Sequence, residues 1–313
     1  MPQPQQVHID ASLTQLSVAF RNNDYIADII APTVPVRKQS DRYFIYDSNR
    51  EGMRITSDSR APGAEAEEVN FELSTDSYFC DDHALSSSIP DEERENADPV
   101  ILPDIDRTEF LTDRILLNRE AALEEKLRTA SGIEENVLGI GSGWDSSGSD
   151  PIADVRAARA AVFGAVQRRA NIVIMPFDVF EAFRNHDSIR EMIKYTGAGI
   201  VTEQIAATLL DVDKVVVPRA YKNTAAMGQS PVVAPVWGKN VYVLHAPERP
   251  GLKQVSLAYT FSWNGAAGAA SGIVVDRWRE PRRKADMIRV QKYYDHKIVA
   301  PGAGYRILNA IEN

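Results

Sequence analysis

The chain has a single cysteine, Cys80, so an intrachain disulfide framework is excluded and a reducing compartment is expected. Histidine is scarce as well. His8, His83, His186, His245 and His296 are scattered through 313 residues, and no nucleophile–base pair is suggested. No run approaches the ~18 apolar residues of a membrane-spanning helix. The first residues also lack the basic and apolar regions of a signal peptide. Positive charge is in deficit: 35 Lys and Arg against 44 Asp and Glu leave −9, so the average surface repels nucleic acid at long range. The expectation is a soluble protein made in the cytosol, with no membrane partner. Hydrophobic residues make up 44% of it, enough for a core of one large domain or two smaller ones.

The best-patterned stretch runs from Asn171 to Tyr221. Ile172 to Met175 reads as a buried strand, and Pro176 opens a helix with Val179, Phe180 and Phe183 on one face. Asp187 or Ser188 is predicted to cap a second helix through Met192 and Ile193. Thr196 to Gly199 is a loop. Thr202 caps a third helix, Glu203 to Leu210, before a strand at Val215 to Val217. This compact α/β unit carries no His, Cys or carboxylate cluster placed for chemistry.

Met1 to Gln6 is rich in Pro and Gln. Val7 to Val36 is apolar but irregular, with Leu13, Leu16 and Phe20 in one or two helical turns and Pro32 and Pro35 forcing an extended path. Such an arm either packs on its own domain or crosses a neighbouring copy. Tyr43 to Tyr46 reads as a strand, Asp47 to Arg60 as a polar tip, and Val69, Phe71 and Leu73 as a half-buried return. An isolated hairpin of this kind is marginal in water, so it should lie on another surface. Pro103 to Ala130 is the longest helical signal, with Asp104 as a candidate cap and Ser131-Gly132 as its end. Three apolar stripes share it: Ile105, Leu116, Leu123, Leu127 and Ala130; Phe110, Leu117 and Ala121; Leu111, Ile115 and Ala122. At ~1.5 Å per residue it spans on the order of 40 Å.

Two motifs invite chemistry. Cys80-Asp81-Asp82-His83 has zinc-ligand residue types, but consecutive extended residues point to alternate sides and no second His/Cys pair follows. Gly139 to Asp150 is Gly-rich but lacks the Lys-Ser/Thr of a phosphate loop and the G-x-S-x-G of a nucleophile elbow. It reads as a flexible linker. Asp150-Pro151 then opens a helix that buries Val155, Ala158, Val162 and Val166 and leaves Arg156, Arg159, Arg168 and Arg169 outside. Short antiparallel strands follow, with Leu257, Tyr259, Phe261 and Trp263 alternating with polar or small residues. Met287 to Val299 reads as one long strand and Tyr305 to Leu308 as the last. Charge is segregated. Asp91, Glu92, Glu93, Glu95 and Asp98 form an acidic run against Arg94 alone. Arg277 to Lys297 holds eight basic residues against three acidic ones. Nucleic-acid binding and a positive surface meeting a negative one on a neighbour are both open for that stretch.

The order strand, Met175-Pro176, helix, Lys194-Tyr195 loop with Gly199, helix, Val212 and Val217, then Asn223-Thr-Ala225, resembles the centre of tailed-phage major capsid proteins of the Hong Kong 97 type. Tyr293-Tyr294-Asp295, Lys297-Ile298-Val299 and Gly304-Tyr305 resemble that family's ending. The resemblance implies an α+β fold: an N-terminal arm 1–37; an E-loop hairpin 38–85; a P-domain 86–150 with spine helix 104–130; an A-domain of mixed sheet plus helices 151–270; P-domain return strands 271–298; and a final A-domain strand 299–313. It implies a structural protein without cofactor, metal or catalytic residues. Such a protein assembles with itself into hexamers and pentamers of an icosahedral head enclosing double-stranded DNA, which it touches weakly and non-specifically. A portal, a separate scaffolding protein (the chain lacks the family's occasional N-terminal scaffolding extension) and a possible decoration protein are further implied partners. Assembly is expected in the host cytoplasm. Contacts between copies are expected at Leu13, Leu16 and Phe20 of the arm and at Tyr43, Tyr46, Arg54 and Arg60 of the hairpin. The acidic run (Asp91, Glu92, Glu93, Glu95) and the basic stretch (Arg277, Arg279, Arg282, Arg283, Lys284) are the other candidates. Some members weld subunits through an E-loop lysine. This chain has none between Lys38 and Lys126, so no such cross-link is expected. Encapsulin compartments resemble the same fold and are the alternative; an α/β enzyme is a remote one.

Overall fold

The computed structural model describes residues 8–9, 25–45, 55, 58–60, 63, 65, 74–97, 102–194, 200–251, 254–265 and 272–312. In chain order the strands are β1 His8–Ile9, β2 Thr33–Val36, β3 Ser40–Ile45, β4 Ser74–Phe79, β5 Asp81–Pro90, β6 Glu134–Val137, β7 Ile172–Ile174, β8 Lys214–Val216, β9 Tyr221–Asn223, β10 Val233–Pro235, β11 Val241–Leu244, β12 Ala258–Trp263, β13 Ile273–Glu280, β14 Ala285–Ile298 and β15 Gly304–Leu308. The helices are α1 Ala27–Ile30, α2 Asp91–Glu95, α3 Pro103–Thr129, α4 Pro151–Val166, α5 Phe177–Asn185, α6 Asp187–Ile193 and α7 Glu203–Leu209. Helices and two principal sheets are mixed along the chain, the α+β class expected.

β14 organises the six-stranded sheet. It pairs antiparallel with β5, with β13 and, over its last five residues, with β12; β2 extends the sheet parallel to β12, and β1 pairs with β13. α3 lies across β14 and β5. Between them Leu111 and Ile115 meet Ile89, Ile273, Val275, Ile288 and Val290 in one apolar cluster. The second sheet runs β6-β15-β11-β7-β8. Its core gathers Val173 and Ile174, the α4 face, the α5 face and, from the far end of α3, Leu123 and Leu127. α3 therefore joins both cores, which is why several of its faces are apolar.

The predicted buried face of α4, Val155, Ala158, Val162 and Val166, is buried, and Asp150 caps the helix by accepting from the Ile152 and Ala153 amides. Other local expectations are corrected. Asp104 does not cap α3: Leu102 holds that position, Pro103 starts the helix, and Asp104 faces arginines instead. The cap of α6 is His186, whose Nδ1 accepts from the Ser188 amide. β12 is buried on both faces. Thr260 donates to the Ala31 carbonyl and Ser262 to the Tyr293 carbonyl, which satisfies the polar positions of the alternation. β6, within 86–150, joins the five-stranded sheet, and β12, within 151–270, joins the six-stranded one.

Gly139 to Asp150 is not a loose linker. Trp144 is 1% exposed, its indole donates to Asp154 at 2.9 Å, and its amide bonds the Ala310 carbonyl. Glycine and serine set the composition of this loop, but one buried indole pins it.

Candidate assembly surfaces

The hairpin comes first. β3 and β4 pair from Ser40–Phe79 to Ile45–Ser74. Its base is anchored by Tyr78 stacked on Phe261 at 4.6 Å, with Tyr43 5.0 Å from the same ring. Tyr43 is half-buried and donates to Asp76 at 3.0 Å. Phe79, by contrast, is exposed. Leu13, Leu16, Phe20, Tyr46 and Arg54 lie outside the described residues, as does the Val69–Leu73 return, while Arg60 is exposed. Below the hairpin an apolar groove of about 470 Å³ is lined by Val34, Pro35, Tyr43, Pro250, Tyr259 and Val299, among others.

Cys80 lies between β4 and β5 with its thiol buried, 3.5 Å from the Phe261 carbonyl, and burial pushes it up to about 11. Asp81 and Asp82 are exposed, and His83 stacks on Tyr294 at 4.1 Å. Among the described residues no group of three or more His, Cys, Asp or Glu could hold a metal ion.

The described stretch of the arm, residues 25–36, lies on its own chain. Ile26 and Ala27 donate their amides to the buried Glu120 carboxylate, which also accepts from the Trp237 indole at 2.7 Å. Burial raises the pKa of Glu120 although these donors oppose it. Arg119 makes two bonds to Asp28, at 2.6 and 3.0 Å. Behind them Lys292 is 7% exposed, and burial, with Arg119 adding like charge, depresses it to about 7. His296 is pushed down to about 3, by burial first and then by Arg119. For residues 25–36 the own-domain alternative therefore describes this chain.

The third surface is a charged pole where α2 meets the β13–β14 turn. Arg279 grips Asp91 with two bonds of 2.5 and 2.6 Å. Asp286 takes both Arg94 and Arg277. Burial alone would raise Asp286, but these guanidiniums override it and hold the carboxyl at about 2. Arg107 pairs with Glu93 at 2.8 Å. The acidic run and the basic stretch thus meet within one chain, which uses Asp91, Glu93, Arg277 and Arg279. Arg282, Arg283, Lys284, Glu92 and Glu95 stay exposed and make no ion pair among the described residues.

The family described as Phage major capsid protein E matches residues 130–284. Over 310 residues the chain is 27% identical to the major capsid protein of Pseudomonas phage JBD67, covering 97% of each. Over 304 residues it is 24% identical to the major capsid protein of Burkholderia phage BcepMu, covering 96% of this chain and 95% of that one. The chain is similar to phage major capsid proteins over nearly its whole length. The fold agrees. A phage-related protein of Bordetella bronchiseptica superposes with TM-score 0.73 at 21% identity, covering 97% of this chain and 98% of that one. The mature capsid of bacteriophage PhiM1 gives 0.59 at 13%, covering 94% and 89%. An encapsulin from Synechococcus elongatus shares the fold more distantly, with TM-score 0.55 at 10% identity over 96% and 95%.

Proposed function

We propose that the chain is the major capsid protein of a tailed phage. Copies join into hexamers and pentamers that tile an icosahedral head around double-stranded DNA. The observation that carries this reading is the end-to-end likeness to two phage major capsid proteins. The hairpin with exposed Phe79 and the unpaired charges of the pole support it, because each leaves surface that another copy can cover. Each contact can be weak, since many operate together. The role is structural, not enzymatic. A scaffolding protein, a portal and possibly a decoration protein act with it. With a net charge of −9, contact with packaged DNA is weak and non-specific.

The test is the composition of particles from the producing phage. Mass spectrometry should find this chain as the most abundant protein, around nuclease-protected DNA. Particles filled with an enzyme and lacking DNA would favour an encapsulin-type compartment and refute the proposal. Denaturing gels should show single subunits, without a ladder of covalent multimers, because no lysine lies between Lys38 and Lys126.

A further inference from the structure

Two hollows of similar size and opposite charge lie on the two flanks of α4. One, about 380 Å³, is lined by Arg156, Arg159, Ala160, Phe163, Arg169 and Ala170, three guanidiniums and no carboxylate. The other, about 370 Å³, includes Asp145, Glu181 and Asp187 in its lining, with no Lys or Arg. α4 itself fixes their relation. Asp154 receives the Trp144 indole and so marks the flank of the acidic hollow, which Trp144 lines. Phe163 is nine residues further on, about 180° round the helix, and Arg156 is at about 200°. The buried face lies between them. The two hollows therefore face away from each other, and one molecule cannot close them on itself.

Each hollow is only partly neutralised within the chain. Asp211 accepts from Arg159 and Arg169, leaving Arg156 with no ion pair among the described residues. Phe163 stands 53% exposed beside it. Across the helix Glu181 pairs with Arg184, while Asp145 and Asp187 make no ion pair among the described residues. A half-exposed ring flanked by guanidiniums, with small Ala160 beside it, suits a concave acidic partner with an aromatic floor. The molecule carries such a partner on its opposite side.

We infer that the Arg156–Phe163 face of one copy seats in the Asp145–Glu181–Asp187 hollow of the next, forming the head-to-tail contact of a capsomer ring. This deepens the capsid reading and rests on it. A heterologous contact between opposite flanks repeats around a rotation axis and closes a ring. Opposite charges set its register, and the ring of Phe163 supplies the apolar centre.

The test is charge reversal on each side and on both. Arg156→Glu and the pair Asp145→Lys with Glu181→Lys are each expected to abolish closed shells in electron micrographs, and all three together to restore them. Circular dichroism of the unassembled chains should show each variant folded; a variant that is not folded is replaced by Arg156→Gln or by Asp145→Asn with Glu181→Gln, expected to reduce assembly. If the unaltered protein forms shells and either reversal leaves them intact, the proposed contact is wrong while the capsid reading stands. Failure of the combined variant to recover also overturns it. So does loss of retained DNA from Arg156→Glu shells that still close, which would assign the arginine face to nucleic acid. If the unaltered protein never forms shells, even when co-expressed with the scaffolding protein, the capsid reading fails first.

Discussion

Replacing Lys292 with methionine should stabilise the subunit at neutral pH. Lys292 sits within β14 at 7% exposure. Burial first, and then the like charge of Arg119, bring its ammonium from an ordinary 10.5 to about 7, with Asp28 opposing. In the unfolded chain the lysine stays charged up to about 10.5. Between those values the folded state binds fewer protons, so stability rises with pH through the window. It is lowest below about pH 7, where folding must bury the charge. The whole window is worth about 5 kcal/mol, and the span from pH 7 to 9 about 2 kcal/mol of it. Methionine keeps the unbranched length without the charge. Replacing a buried ion pair by apolar groups of similar volume is often neutral or gains about 1–4 kcal/mol, and Lys292, which makes no ion pair among the described residues, has no such partner to strand. Urea unfolding of the dilute, unassembled chain at pH 7, 8 and 9 measures both proteins. Cys80 and the buried tyrosines are common to both and cancel in the difference. Lys292→Met should be the more stable at pH 7, with the gap narrowing by about 2 kcal/mol by pH 9. A destabilised variant, or a gap that does not change with pH, would refute the reasoning.

Trp144→Ala should cost about 3–5 kcal/mol in urea unfolding, since it removes a fully buried indole and its bond to Asp154; a loss below about 1 kcal/mol would restore the linker reading. Glu120→Gln should speed hydrogen exchange at the Ile26 and Ala27 amides by on the order of ten-fold or more, because an amide nitrogen would face donors that now bond a carboxylate; unchanged protection would show that Glu120 does not hold the segment. Asp286 is held at about 2 against an ordinary 3.8, so its contribution is present above pH 3.8 and is lost as pH falls toward 2. Asp286→Asn should flatten that loss in acid titrations, and an unaltered acid profile would contradict the pairing.

Much of this fold was legible in the chain. The face of α4 follows from 3.6-residue spacing, and β14 from an uninterrupted β-rich run. What escaped was the chemistry of buried charge. Arg119, Glu120 and Glu124 are charged positions between the apolar stripes of α3, yet all are buried. Glu120 lies at the edge of the Leu116, Leu123 and Leu127 stripe, about 20° beyond Leu127 at 100° per residue, and that was the available signal. Its partners, Ile26, Ala27 and Trp237, are some hundred residues away along the chain. Local pattern cannot supply such partners. Trp144 was the signal in the Gly/Ser loop, outweighed there by composition. The charged pole was visible as two runs of opposite sign, but one-dimensional order could not show that Arg279 and Asp91 close on each other in the same molecule.

The central claim is that this polypeptide completes itself only with further copies. Sedimentation of the purified chain across a wide concentration range, with electron micrographs of the fast fraction, tests it most directly. The account predicts fast-sedimenting assemblies of this one protein that grow with concentration. A single slow boundary, monomeric at the highest concentration, would contradict it.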